Sequence, residues 1–238
     1  MIKVLAFLLI FSFSSSALAN PSCKDLNASW AKQHQQGVKF FGFKNQSFSC
    51  PSELSNIATA FYYLDNIKIV DNNGNEIFDY YSYVFENLEV VFKSSQPGNS
   101  AEPGIMNIGS GLYATHDSNG KLLNPVGIEG PEILVHERKH MDFKNVKHVK
   151  CNPSDNNYRC DSRFHDLHNG EATIDDPNVG AYSASITYLT DSILYGQGTD
   201  LSKVSAKFLI KDLLSNNFKS SGITNTQYTN VLKRIGAL

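Results

Sequence analysis

An α+β fold class follows from three features of the sequence. The front half mixes helical periodicity with β-branched and aromatic runs, the middle carries a histidine-bearing helix, and the back half is helical in pattern. After Pro51, SELSNIATAFYYLDNI places Leu54, Ile57, Ala58, Phe61 and Leu64 on one helical face, with Ser52 as its cap. Asp71-Asn-Asn-Gly-Asn75 is a turn, IFDYYSYVFENL leans helical by its length, and LEVVFKSS reads as a strand. SSQPGNSAEPG reads as a loop. GIMNIGSGLYATHD reads as a bent strand or hairpin, its glycines marking bulges. Asp117-Ser-Asn-Gly120 turns the chain, and Gly130-Pro131-Glu132 opens a helix, with proline in first position and an acid in the first turn. Cys151 to Asp176 is loop-like. Helices are expected over 178–194, near 201–215 and at the C-terminus.

The first residues, MIKVLAFLLIFSFSSSALAN, read as a secretory leader: Lys3 supplies the positive start, an apolar run follows, and Ala17-Leu18-Ala19 is a small-x-small cleavage site. We therefore expect residues 1–19 to be a signal peptide and 20–238 a single domain that is periplasmic or secreted. No later run approaches the roughly 20 apolar residues of a membrane span. The formal charge is -2, and becomes -3 once Lys3 leaves with the leader. Such a balance excludes an electrostatic case for nucleic acid. The one basic cluster, Arg138, Lys139, Lys144, Lys147 and Lys150, reads as a solvated helix face. Nothing in the composition sets an oligomeric state. Four cysteines on an exported chain point to two disulfides. Chain order favours Cys23–Cys50, closing a segment over 20–50, and Cys151–Cys160, closing a short loop. No Cys-x-x-Cys spacing suggests a zinc-thiolate site.

The segment PEILVHERKHMDF carries the chemistry. On a helix, His136 and His140 lie one turn apart and turn their imidazoles to one side, with Glu137 beside them. Two or three neutral imidazoles can hold zinc and leave a position for water, and a neighbouring carboxylate can take that water's proton. In this placement Ile133, His136, Glu137 and His140 face inward, while Val135, Arg138, Lys139 and Asp142 face outward. A carboxylate on the apolar side requires a compensating charge, which a dication supplies. Chance predicts only about 0.008 His-Glu-x-x-His matches in a chain of this composition.

The stretch VHERKH resembles the zinc-binding helix of the zincin metallopeptidases. The longer pattern, with His148-Val-Lys-Cys151 and Gly180-Ala-Tyr182, is loosely similar to an exported bacterial family. The resemblance implies a zincin-like arrangement, with a small mixed or antiparallel sheet of the front half packed on that helix. It implies Zn2+ bound by His136 and His140, with Glu137 as general base. It also implies a peptide or protein substrate that pairs along an edge strand in 104–116. The alternative is an exported, non-catalytic binding protein stabilised by zinc.

A catalytic zinc usually takes three protein ligands. His148, eight residues after His140 and just before Cys151, is the nearest candidate. The metzincin pattern places its third histidine six residues on, after a glycine, and this chain has neither. Glu171, Asp175, Asp176, His165 and His168 stay open as candidates. Tyr182 is a candidate oxyanion donor or a packing aromatic. His116 and His34 are read as non-ligands.

Overall fold

The computed structural model describes residues 21–43, 48–96, 98–113, 129–142, 146–154, 158–196 and 200–238. The expected leader, His116, Lys144 and the turn at 117–120 lie outside them. Helix α1 (Cys23–Gln35) starts on a capping box in which Ser22 and Asp25 exchange hydrogen bonds. Strand β1 (Lys39–Phe41) follows, and Cys50 returns to form a disulfide with Cys23. Ser52 caps α2 (Glu53–Asn66) as its sequence predicts, through a reciprocal pair with Ser55. A small apolar cluster of Leu26, Trp30, Leu54 and Ala58 joins α1 to α2.

The main core includes Ile57, Phe61 and Leu64 of α2 together with Tyr80, Tyr83 and Val84 of the short helix α3 (Tyr80–Phe85). Strands β2 (Val90–Lys93), β3 (Ser100–Glu102) and β4 (Ile105–Ile108) complete a four-stranded mixed sheet of order β1-β2-β4-β3. Val91 pairs in register with Met106 on parallel strands, while β3 runs antiparallel to β4. Helix α4 (Ser110–Tyr113) then closes the front half.

The sheet corrects two expectations. Residues 100–102, read as loop, form β3, because pairing with β4 outweighs the weak strand propensity of Ser-Ala-Glu. The sheet edges are therefore β1 and β3. The 104–116 segment instead supplies β4, whose backbone is consumed by β2 on one side and β3 on the other.

Helix α5 (Glu129–Asp142) carries the histidines and is the centre of the molecule: the sheet and helices α2 and α3 all pack on it. It starts two residues before Pro131, which still falls in the first turn, where its missing N–H is tolerated. Behind it come a two-stranded hairpin of β5 (Val149–Lys150) and β6 (Tyr158–Cys160), held by the Cys151–Cys160 disulfide. Helices α6 (Ala181–Leu194), α7 (Asp200–Asn216) and α8 (Asn225–Arg234) follow, with α6 lying between α5 and α7.

The solvated basic face assigned to α5 does not exist. Arg138 is 2 % and Lys139 0 % exposed, because the face of the helix away from the histidines is packed against neighbouring elements. Their charges are met internally. Arg138 donates from Nε to the Tyr83 carbonyl at 2.7 Å, pairs with Asp142, and lies over the Tyr83 ring. Lys139 Nζ donates to the carbonyls of Ile174 (2.6 Å) and Asp176 (3.0 Å). Burial pulls its pKa down to about 8, with Asp175 and Asp176 acting in the opposite sense. Replacing Arg138 by alanine strands Asp142 and the Tyr83 carbonyl, so we expect a loss of about 3 kcal/mol in urea unfolding.

Candidate metal centre

Three histidine nitrogens converge where α5 meets the β5–β6 hairpin. His136 Nε2 lies 3.3 Å from His140 Nε2 and 3.3 Å from His148 Nε2, and the latter two are 3.1 Å apart. His136 and His140 arrive by helical spacing, as the sequence requires. His148 is delivered by the turn into β5. Two nitrogens bound to one tetrahedral zinc at about 2.0–2.1 Å stand about 3.3–3.4 Å apart, which is nearly the separation found here.

The other ring nitrogen of each histidine fixes what its Nε2 presents. His140 Nδ1 lies 2.7 Å from the Val146 carbonyl, which can only accept, so Nδ1 carries the proton. His148 Nδ1 lies 3.2 Å from Asp161 Oδ1, again an acceptor. His136 Nδ1 lies 3.2 Å from Ser185 Oγ, and the Ser185 side chain is also hydrogen-bonded to Glu132. A hydroxyl that donates to Glu132 accepts from His136. In the tautomer these acceptors select, each ring presents Nε2 without a proton toward one point, and a cation placed among the three nitrogens removes their mutual repulsion.

Burial reinforces the neutral state. It holds His136 well below the ordinary imidazole pKa, with the neighbouring His140 and His148 adding to the effect. It lowers His140 too, with His148 beside it and the Val146 bond acting against. The cluster lines one side of a cleft of about 1070 Å³ that also holds Glu137, Tyr182 and the residues of β3. Glu137 is 4 % exposed, and its Oε2 has no hydrogen-bond partner among the described residues. Burial, with Glu132 nearby, raises its pKa to about 8. A divalent cation at the three nitrogens fits both the lone pairs and this orphaned carboxylate oxygen. These residues could hold such an ion.

The remaining candidates do not join the cluster. His168 bonds Asp191, Glu171 accepts from the Asp166 amide and from Gln227, and Asp176 accepts from Asn178. The His165 amide donates to Ser183, and Asp175 lies near Lys139. His34 is exposed against the Trp30 edge. Tyr182 stacks on His148 at 4.9 Å and meets His136 edge-on at 4.5 Å, while its hydroxyl bonds Asn217. It walls the cluster as a packed aromatic, and burial raises its pKa to about 12.

Sequence reading missed Asp161, Ser185 and Glu132. Asp161 is 3 % exposed and binds twice: Oδ1 takes His148, and Oδ2 accepts from the Tyr182 amide at 2.8 Å. Gly180 makes room for it, since any Cβ there would overlap the Asp161 carboxylate. The Gly-Ala-Tyr pattern was thus a readable signal whose partner was not. Compared with protein-family models, curated proteins and solved structures, the chain returns no match.

Two outcomes follow. Gly180→Ala should push Asp161 off His148 and weaken metal binding about 10- to 100-fold in competition with a chelating dye, with far-UV circular dichroism unchanged. In metal-free protein, Glu137 has a folded pKa of about 8 against 4.5 when free. Its stabilising contribution is complete below pH 4.5 and disappears as the pH rises through about 8. Glu137→Gln should therefore make the metal-free protein more stable than wild type at pH 8, by more than the roughly 1.4 kcal/mol of one pKa unit.

Proposed function

We propose that the protein is an exported zinc-dependent hydrolase, with a peptidase as the best-supported reading. The observation that carries it is the convergence of three histidine Nε2 atoms able to hold one ion, beside Glu137, whose buried Oε2 has no hydrogen-bond donor among the described residues. The zincin resemblance of VHERKH agrees with it. His136, His140 and His148 would hold a zinc ion, which would supply Lewis acidity toward a carbonyl and toward water. Glu137 Oε2 then accepts a proton from water in the cleft and returns it to the departing amine. Asp161, Ser185 and the Val146 carbonyl keep the three rings in the required tautomer.

A peptide suits the cleft because β3, one of the two edge strands of the sheet, lines it. Its outward N–H and C=O groups can pair with an extended chain. Export is supported by the leader-like first residues and by two disulfides, which belong to oxidising compartments. No helix among the described residues is long and apolar enough to cross a membrane.

One observation favours a second reading. The histidines tie α5 to the loop before β5, so the ion could simply brace a non-catalytic binding protein. Cobalt substitution separates the two: an exchangeable water on the metal supports the hydrolase, and four protein ligands support the brace. For the hydrolase, Glu137→Gln should retain stoichiometric zinc while losing at least about 100-fold in hydrolysis. His140→Ala should lose both, as read by elemental analysis and cleavage of a casein-type substrate. Full activity in the glutamine variant refutes the assignment of Glu137.

A further inference from the structure

Two carboxylates are buried on the floor of the cleft, and the proposed chemistry uses one. The other, Glu132, sits one helical turn before His136 on α5 and is 7 % exposed. Among the described residues the Ser185 side chain is its one hydrogen-bond partner, although an ionised carboxylate offers about four acceptor sites. Among the described residues no lysine or arginine forms an ion pair with it. The charged group acting on Glu132 is Glu129, and the one acting on Glu137 is Glu132, both acidic. Lys147 and Arg159, the basic residues lining the cleft, are exposed on its rim.

A carboxylate buried without a cation costs several kcal/mol. The metal site offsets the charge of Glu137, since the two adjoin in sequence and share the cleft. Glu132 stands a turn further along, where a substrate lying over the helix would cover it. An extended chain advances about 3.3 Å per residue, and a helical turn about 5.4 Å. The group above Glu132 therefore lies within about two residues of the amide held at the metal.

Building on the hydrolase reading, we propose that Glu132 determines specificity by taking a positively charged group of the substrate, an ammonium or guanidinium, next to the scissile amide. A free N-terminal amine and a basic side chain present the same chemistry, and the test separates them.

Three amino-acid hydroxamates that chelate zinc serve as probes: a blocked norleucine, a lysine with blocked α-amine, and a norleucine with free α-amine. Their affinities for the zinc-loaded protein are measured by calorimetry, in wild type and in Glu132→Gln, which keeps a carbonyl oxygen for Ser185. At least one cationic probe should bind about 10-fold or more tightly than the blocked norleucine. In Glu132→Gln the difference should shrink to about twofold or less, with zinc retained. Whichever cationic probe gains identifies the terminus or the side chain. Equal binding of all three to wild type overturns the assignment while leaving the metal centre standing, and this result needs no variant to fold. Uniform weakening in Glu132→Gln with loss of zinc also overturns it, because Glu132 then acts through Ser185 on His136. If no probe binds zinc-loaded wild type, the hydrolase reading fails, and this inference with it.

Discussion

Three imidazole nitrogens, each on a ring whose other nitrogen is held by a hydrogen bond, are aimed at one point. Much of the structure can be traced to that constraint. Lone pairs at 3.1 to 3.3 Å repel in an apolar setting, so the elements bringing them together must hold against one another or share a cation. Helix α5 provides two of the rings at no extra conformational cost, because its pitch already aligns them. The third is imposed. His148 enters on a loop, and the Asp161 carboxylate from the far strand of the hairpin fixes its orientation.

The hairpin deserves emphasis as a unit. His148 immediately precedes β5 and Asp161 immediately follows β6, while Cys151–Cys160 closes the ladder between them. The disulfide therefore sets the separation of a candidate ligand from the carboxylate that orients it. Asp161 is anchored further by the Tyr182 amide, and by backbone bonds from its own amide to Asn217 and from Lys219 to its carbonyl. Gly180 is needed at this junction for the plainest of reasons: the carboxylate occupies the space a side chain would fill. Elements from the hairpin, α6 and the end of α7 thus meet at one residue, Asp161.

Helix α5 also departs from the usual separation of charge from core. Glu132, Glu137, Arg138 and Lys139 are all buried on it. The two cations are answered by carbonyls and by Asp142, and so act as cross-links to α3 and to the loop before α6. The two acids lie on the cleft side and are answered poorly, among the described residues Glu137 Oε2 by no donor and Glu132 by one hydroxyl. Natural chains break the rules of polar satisfaction mainly where function demands it. Poorly satisfied carboxyl groups on one cleft mark where a cation and a polar substrate would repay the desolvation.

The sequence by itself determined the α+β class, the cap and apolar face of α2, the helical spacing of His136 and His140, and the two disulfide pairings. All of these are local, or follow from chain order. It could not show that Ser-Ala-Glu at 100–102 is an edge strand of the sheet, because strand pairing overrides weak propensity. It could not show that Arg138 and Lys139 are buried, because a helix does not record how many neighbours surround it. Nor could it choose His148 over five other candidates, or find Asp161, Ser185 and Glu132 behind the rings. Those choices belong to tertiary structure: hydrogen-bond partners 13 to 49 residues apart meet only when the hairpin and α6 dock on α5.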